Sequence, residues 1–246
     1  MNLIELLRES KYALAFTGAG ISTESGIPDF RSSNGLYTSG DFAGMNPESI
    51  LTRKTLRTKP NLVLKFYKER LMRMVDKEPN RAHLALKKLE DMGKLKGIIS
   101  QNIDNLHNKA GSTNVMELHG NGTKFKCNIE CGERYTYEDF LSMLEKEEKP
   151  MCRCGMSFIR PDVVLFDEWL NDEVYDKAFF EAKKCDLMIA IGSSLLVQPA
   201  ARLVDEIPVE AKLVIINKDT TPYDSKADLI IRENCGGVLE LAIEGL

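Results

Sequence analysis

Four cysteines in two close pairs carry the plainest chemistry in this 246-residue sequence: Cys127 with Cys131 and, after a gap of 20 residues, Cys152 with Cys154. Four thiolates suit the tetrahedral preference of Zn²⁺, and with no ligand position left for water such a centre is structural rather than catalytic. Both spacings depart from the common two-residue gap. The Cys152 and Cys154 pair is tight, and Gly155 eases the turn behind it. A disulfide pair, or a degenerate site without its metal, is the competing reading. Cys185 and Cys235 stand alone and read as small apolar residues near strand ends.

A second signal comes from polar and Gly-rich segments that follow apolar runs. Gly18-Ala19-Gly20-Ile21-Ser22-Thr23 comes directly after one such run, and glycines there let a backbone turn tightly and approach a pyrophosphate at free amides. Thr23 stands where the dinucleotide fingerprint has its third glycine, and the expected acid about 20 residues on is missing, so a plain strand-to-helix turn competes. Beside the turn lies a polar and aromatic cluster, Asp29-Phe30-Arg31. Two more strand ends are polar, Gly192-Ser193-Ser194 and Asn217-Lys218-Asp219. Ligands gather at the carboxyl ends of strands in a doubly wound sheet, so the three ends together point to a nucleotide. Ser193 and Ser194 are suited to phosphate or ribose, and Asn217 to the ribose role usually given to an acid.

The run Gln101-Asn102-Ile103-Asp104 offers donors and acceptors for a carboxamide or a sugar, and His119 followed by Gly120 leaves one side of an imidazole open. His119 is therefore the candidate general base. A satisfied, half-buried histidine is the bland reading for each of the three, with His107 the weaker alternative base and His83, inside a helical pattern, a core or cap residue.

Near-continuous apolar runs must position these groups: Tyr12 to Thr17, Leu95 to Ser100, Val163 to Phe166, Leu187 to Ile191, Leu213 to Asn217 and Leu229 to Arg232. Helix-period stretches lie between them, at Asn61 to Val75, Arg81 to Met92, Asp172 to Lys183, Pro199 to Glu206 and Gly237 to Ile243. Alternation of this kind predicts an α/β domain with a doubly wound parallel sheet. The Gly-, Ser- and Pro-rich stretch from Ser32 to Pro60 reads as a long loop feeding a helical layer, and Asn121 to Arg160 as a small inserted metal module. With 43% hydrophobic and 28% charged residues the chain has a globular composition, and no apolar run reaches the roughly 18 to 20 residues that cross a bilayer. A net charge of -4 gives no field to hold nucleic acid or an anionic membrane. The stretch Met1 to Glu9 reads as an amphipathic helix without a basic leader or cleavage site, so a cytoplasmic protein is expected.

Taken together, Gly18-Ala19-Gly20-Ile21-Ser22, Gly26 to Arg31, Gln101 to Asp104, His119-Gly120, the paired cysteines, Gly192-Ser193-Ser194 and Asn217 resemble the sirtuin (Sir2) family over nearly the whole chain. The resemblance implies a Rossmann-like large part (residues 1–38, 80–119 and 161–246), a helical and loop layer (39–79) and a zinc-ribbon module (120–160). It also implies an NAD⁺-dependent protein-lysine deacetylase: the acyl oxygen attacks C1′ of the nicotinamide ribose, and nicotinamide, free lysine and O-acetyl-ADP-ribose leave. His119 would be the base, with Asn102 and Asp104 orienting the ribose and carboxamide ends of NAD⁺. Ala19, Thr23, Phe30 and Arg31 would line the nicotinamide and diphosphate side, and Ser193, Ser194, Asn217 and Cys235 the adenosine side. An acyl-lysine peptide would add as a strand along Val163, Val164, Phe166, Asp167 and Glu168 and the loop reaching Val197. Asp167 stands where the family usually has Gly, and its extra carboxylate predicts a preference for basic residues beside the lysine. Tyr67 and Arg70 have the spacing by which a related subgroup binds succinyl and malonyl carboxylates, and are read instead as a core Tyr and a surface Arg. Mono-ADP-ribosyl transfer is the rival chemistry, and the intact Gln101 to Asp104 run with His119 favours deacylation.

Overall fold

The computed structural model describes residues 2–30, 35–37 and 40–246. Nine strands form among them: β1 (Ala13–Thr17), β2 (Leu95–Ser100), β3 (Val115–Glu117), β4 (Gly120–Cys127), β5 (Arg134–Tyr135), β6 (Ile159–Val163), β7 (Leu187–Ile191), β8 (Lys212–Ile216) and β9 (Leu229–Ile231). Six make one parallel sheet in the order β3-β2-β1-β7-β8-β9. The chain winds outward from β1 to β3, then restarts at β7 and winds the other way. The topological switch therefore falls between β1 and β7, and the crevice of a doubly wound sheet opens at their carboxyl ends.

Alternation along each strand explains the sheet's two covers. Ala13 and Ala15 of β1 pack with the helices Leu3–Glu9, Arg81–Asp91 and Cys235–Glu244, whereas Leu14 and Phe16 pack with Asp172–Ala182 and the 3₁₀ turns of Ala200–Glu206. With both faces buried, the central strands have no polar side, which is why they read as unbroken apolar runs. Each fully buried Leu, Ile or Phe contributes about 1.5–3 kcal/mol.

Four elements depart from the sequence expectation. The run Val163 to Phe166 is not a strand of the parallel sheet: β6 ends at Val163 and pairs antiparallel with β4 in a second sheet, β5-β4-β6. Beyond it the chain turns to the helical layer, where the Phe166 amide donates to the Leu51 carbonyl at 2.9 Å. The edge strand β3 has three residues and pairs on one side, too short for periodicity to register. Asn61 to Val75 is not one helix but an α-helix (Pro60–Phe66), a π turn (Tyr67–Leu71) and a 3₁₀ turn (Met72–Met74). The wide turn sits where Tyr67 is buried and its hydroxyl donates to the Gly122 carbonyl. The last helix starts at Cys235 rather than Gly237, because the Asn234 side chain caps it, accepting from the Gly236 and Gly237 amides.

Two smaller cores complete the molecule. Ile50, Leu56 and Phe66 of the helical layer pack with Val163 and Leu165. Behind the cysteines, Phe125 of β4 stacks on Phe140 of the helix Tyr137–Leu144 with centroids 4.2 Å apart.

Candidate active site

At the switch point, β1 and β7 are joined beyond their last residues. The Gly18 amide donates to the Ile191 carbonyl at 3.0 Å and the Gly20 amide to the Gly192 carbonyl at 2.8 Å. A Cβ on Gly18 or Gly20 would lie 2.8 Å from Gly192 or Ser193 atoms. One on Gly192, whose φ is 61°, would lie 2.3 Å from the Ile21 nitrogen. These glycines are required first by the close approach of two loops to each other.

His119 lies between β3 and β4, half-buried in the cleft lining. Its Nδ1 is 2.9 Å from the Gln101 carbonyl oxygen. A carbonyl only accepts, so Nδ1 carries the hydrogen and Nε2 keeps its lone pair. Burial lowers the His119 pKa from its ordinary 6.5, outweighing the pull of that carbonyl in the other direction. The ring is neutral at pH 7 and able to take a proton at Nε2.

Asn102 and Asp104 are 7% and 5% exposed. Asn102 Nδ2 donates to the Gly18 carbonyl and to Ser22 Oγ, each at 3.2 Å. Asp104 accepts from Ser22 Oγ at 2.7 Å and from the Leu106 amide at 2.9 Å. Burial raises the Asp104 pKa above the usual carboxylate value, and these two bonds oppose the rise. Gln101 Oε1 accepts from Ser193 Oγ at 2.7 Å, while its Nε2 is buried with no partner, a donor that a ligand acceptor would satisfy.

One cleft of about 330 Å³ gathers most of the expected nucleotide residues: Gly18, Ala19, Gly20, Asp29, Phe30, Gln101, Asn102, Ile103, His119, Gly192, Ser193, Ser194 and Asn217. The expected peptide residues Val163, Val164, Phe166, Asp167, Glu168 and Val197 line it as well. Asp104 lines an adjoining cavity of about 520 Å³, which shares Ala19, Phe30, Asn102 and Ile103 with the cleft. Thr23 and Cys235 are not in the lining: Thr23 is exposed and its hydroxyl donates to the Gly20 carbonyl, and Cys235 is buried in the core under the last helix. Arg31 lies outside the described residues. The orphaned Gln101 donor, the polar loop ends and the shape of the cleft fit a dinucleotide such as NAD⁺.

On the peptide side, Glu168 makes two bonds to Arg160, at 2.6 and 2.8 Å. Burial pushes the Glu168 pKa up, but Arg160 outweighs it and the net shift is down. Asp167 adopts a left-handed φ of 64°, and its Oδ1 accepts from the Arg53 amide at 2.6 Å. That backbone conformation is the physical reason a glycine is at home there, and Asp tolerates it better than most residues. Tyr67 is a core residue with its hydroxyl engaged, as expected, and Arg70 lies over the Phe42 ring at 5.9 Å. Sequence reasoning passed over Tyr37, Leu51 and Leu170 in the lining, which come together only through the fold. Ser22 was visible inside its motif, yet nothing local marks it as the shared partner of Asn102 and Asp104.

The four Sγ atoms of Cys127, Cys131, Cys152 and Cys154 all lie within 4.8 Å of one another. Cys127 to Cys154 is 3.8 Å and Cys131 to Cys152 is 3.6 Å. A zinc tetrahedron with Zn–S of about 2.3 Å has S···S edges of about 3.8 Å, whereas a disulfide needs about 2.05 Å. The donor set fits structural zinc, and all six cysteines are free thiols. Tyr135 Oη donates to Cys152 Sγ at 3.2 Å and accepts from the Arg153 amide at 2.8 Å, orienting that ligand from behind. Gly155, with φ 72°, makes the turn after the tight pair. Among the described residues no helix is long and apolar enough to cross a membrane.

The Sir2 family model matches residues 18–199. The NAD-dependent protein deacetylase of Clostridium perfringens is 44% identical over 243 residues, covering 98% of this chain and 97% of that protein. A solved Sir2 structure with a deacetylated p53 peptide and 3′-O-acetyl ADP ribose has a TM-score of 0.91 at 37% identity, covering 100% of both chains. Another, of Sir2 with a p53 peptide and NAD⁺, has a TM-score of 0.87 at 38% identity, covering 98% of this chain and 95% of that one. Matching on this scale, over nearly the whole chain, shows that the chain belongs to the Sir2 family.

Proposed function

We propose that this chain is an NAD⁺-dependent protein-lysine deacetylase of the cytoplasm with His119 as its general base. The observation that carries the reading is the His119 ring, held by Nδ1 on the Gln101 carbonyl so that a bare Nε2 stands in the cleft. NAD⁺, when bound, supplies the activated glycosidic carbon that the acyl oxygen attacks, and is consumed as nicotinamide and O-acetyl-ADP-ribose. An amide oxygen is a poor nucleophile, so the protein's contribution is orientation and exclusion of water. Asn102 and Asp104, fixed through Ser22, hold the ribose and carboxamide ends in place. His119 then accepts a ribose hydroxyl proton at Nε2, making that oxygen a competent nucleophile toward the acyl carbon; with one water added, the acyl carbon–nitrogen bond breaks, lysine leaves as the free amine and the acetyl group stays on the ribose.

The acyl-lysine peptide lies along Val163 to Glu168 and the loop Gly192 to Val197, with the helical layer (39–79) and the cysteine module (120–160) bounding the large part of the protein. Asp29, Ser193, Ser194 and Asn217 serve the phosphate and ribose groups. Zinc on the four cysteines is structural. Held by four protein thiolates, it would keep no open coordination position for water or substrate.

The test is mass spectrometry of an acetyl-lysine peptide incubated with the protein, with and without NAD⁺, beside His119→Ala. We expect loss of one acetyl group and appearance of O-acetyl-ADP-ribose only with NAD⁺, and a rate about 10²–10⁴-fold lower in the variant. Nicotinamide release with the peptide still acetylated would replace deacetylation with ADP-ribosyl transfer or NAD⁺ hydrolysis.

A further inference from the structure

Two histidines that the reaction does not use meet edge to face beneath the site. His83 and His107 are 0% and 3% exposed, their ring centroids 4.9 Å apart. His83 is joined by a hydrogen bond to Ser22, which lines the cavity adjoining the nucleotide cleft, and His107 to Thr17, the last residue of β1.

His83 sits in the first turn of the helix Arg81–Asp91, and its Nδ1 accepts from the Asn80 amide at 3.3 Å as one half of a capping box. An amide only donates, so Nδ1 is bare and the hydrogen of the neutral ring is on Nε2. That Nε2 lies 3.4 Å from Ser22 Oγ and donates to it. Ser22 Oγ also accepts from Asn102 Nδ2 at 3.2 Å, so both approaches to the oxygen are donors, and the hydroxyl's own hydrogen goes to Asp104 Oδ2 at 2.7 Å. The helix cap thus sets the direction of each bond in the series. With the opposite tautomer, a bare Nε2 would compete with Asp104 for the Ser22 hydrogen.

His107 makes a parallel relay. Its Nε2 is 2.9 Å from Thr17 Oγ1, Thr17 donates to Ser100 Oγ at 3.1 Å, and Ser100 Oγ accepts from the Asn102 amide at 3.1 Å. Since Thr17 donates its own hydrogen onward, His107 is the donor to it. His107 Nδ1 is then a buried acceptor without a partner. One relay reaches the Asn102 side chain and the other its backbone. Burial keeps both rings uncharged at neutral pH, and each therefore has one donor and one acceptor nitrogen.

We propose that His83 and His107 are positioning residues that hold Asn102 and Asp104 for the nucleotide through two directed hydrogen-bond relays, one by way of Ser22 and the other by way of Thr17 and Ser100. The proposal rests on the deacetylase reading for what Asn102 and Asp104 do, and on geometry alone for how they are held.

Two substitutions isolate the donor nitrogen of His83. His83→Asn keeps an acceptor near the Nδ1 position, and so the helix cap, but loses the donor to Ser22. His83→Gln keeps a donor near the Nε2 position, and its Oε1 still reaches back to the Asn80 amide, as Gln does at this position of a capping box. If the relay operates, His83→Asn raises the KM for NAD⁺ about three- to tenfold with melting temperature close to wild type, and His83→Gln restores a KM within about twofold of wild type. A KM for His83→Asn within about twofold of wild type, or one that rises only in step with a lowered melting temperature, overturns the proposal in favour of a merely structural histidine. Nitrogen-15 NMR of the histidine rings gives a readout independent of turnover: both buried rings are expected as the Nε2–H tautomer at pH 7, and Nδ1–H at either position rejects that relay. Failure of wild-type protein to deacetylate any acetyl peptide would refute the reaction assigned above, while calorimetric NAD⁺ affinities of the two variants and the tautomers would still decide whether the relays exist.

Discussion

At His119, one carbonyl decides the chemistry. Because the Gln101 oxygen can only accept, the imidazole hydrogen is committed to Nδ1 and the basic nitrogen is presented to the cleft. Burial holds the ring's pKa below 6.5, so the base is ready at neutral pH and is lost as pH falls through that lowered value. The acid limb of kcat/KM against pH is therefore expected below pH 6.5, with activity flat from there to about pH 8. An acid limb centred above 7 would mean that another group is the base. Residue type also explains what the cleft excludes. Cys235 is a small apolar side chain whose thiol burial pushes up to about 11, in keeping with its place in the core.

Between elements, the decisive contact is loop against loop at the ends of β1 and β7. Gly192 combines a φ of 61° with no room for a Cβ, which would meet the Ile21 nitrogen at 2.3 Å. Gly192→Ala must therefore push the two loops apart, and we expect about 2–4 kcal/mol of destabilisation by urea unfolding together with loss of measurable NAD⁺ binding by calorimetry. Gly237 is the natural contrast, since its Cβ would come no closer than 3.9 Å to Arg81 in the first turn of a helix. Gly237→Ala should stabilise by about 0.5 kcal/mol and leave affinity alone. Equal losses in both variants would show that loop packing is not what demands Gly192. The same scale accounts for the broken helix around Tyr67: a buried ring with its hydroxyl on Gly122 is a stronger constraint than helix propensity over a few residues.

Over the whole molecule, two properties are shared by distant parts. The four-cysteine module contributes β4 and β6, and the latter leads straight into the segment that lines the peptide side of the cleft. Stripping zinc with a strong chelator should therefore abolish deacetylation along with the module's near-ultraviolet signal, and added Zn²⁺ should restore both. Activity that survives verified metal removal would contradict this coupling. Acid stability is the second shared property. Burial lowers the His83 pKa to about 4, and burial together with His83 lowers that of His107 to about 3. Above pH 6.5 both states hold these rings neutral. As pH falls below 6.5 the unfolded chain binds protons that the folded chain refuses, so stability declines steadily until the folded rings titrate. The loss approaches about 1.4 kcal/mol per pH unit for each histidine once the unfolded ring is fully protonated, and amounts to about 3 kcal/mol for the two between pH 6.5 and 5, where carboxylates contribute little. Urea midpoints across that interval check it, and an unchanged midpoint would mean the rings are not buried uncharged.

The amino-acid sequence by itself determined the sheet's central strands, the major helices, the metal-ligand set and most of the cleft, because each leaves a local trace. A strand covered on both faces must be apolar throughout, four thiolates must come in chelating pairs, and glycines must stand where loops touch. Only the tertiary structure decided which histidine nitrogen is basic, that Thr23 and Cys235 fall outside the cleft, and that His83 and His107 reach Asn102. Those outcomes depend on hydrogen bonds between residues far apart in the chain, such as Ser22 to Asp104 over 82 positions and Thr17 to His107 over 90. Periodicity records whether a side chain is buried, but a hydrogen-bond partner is chosen by distance and direction in space, and those exist only once the chain has folded.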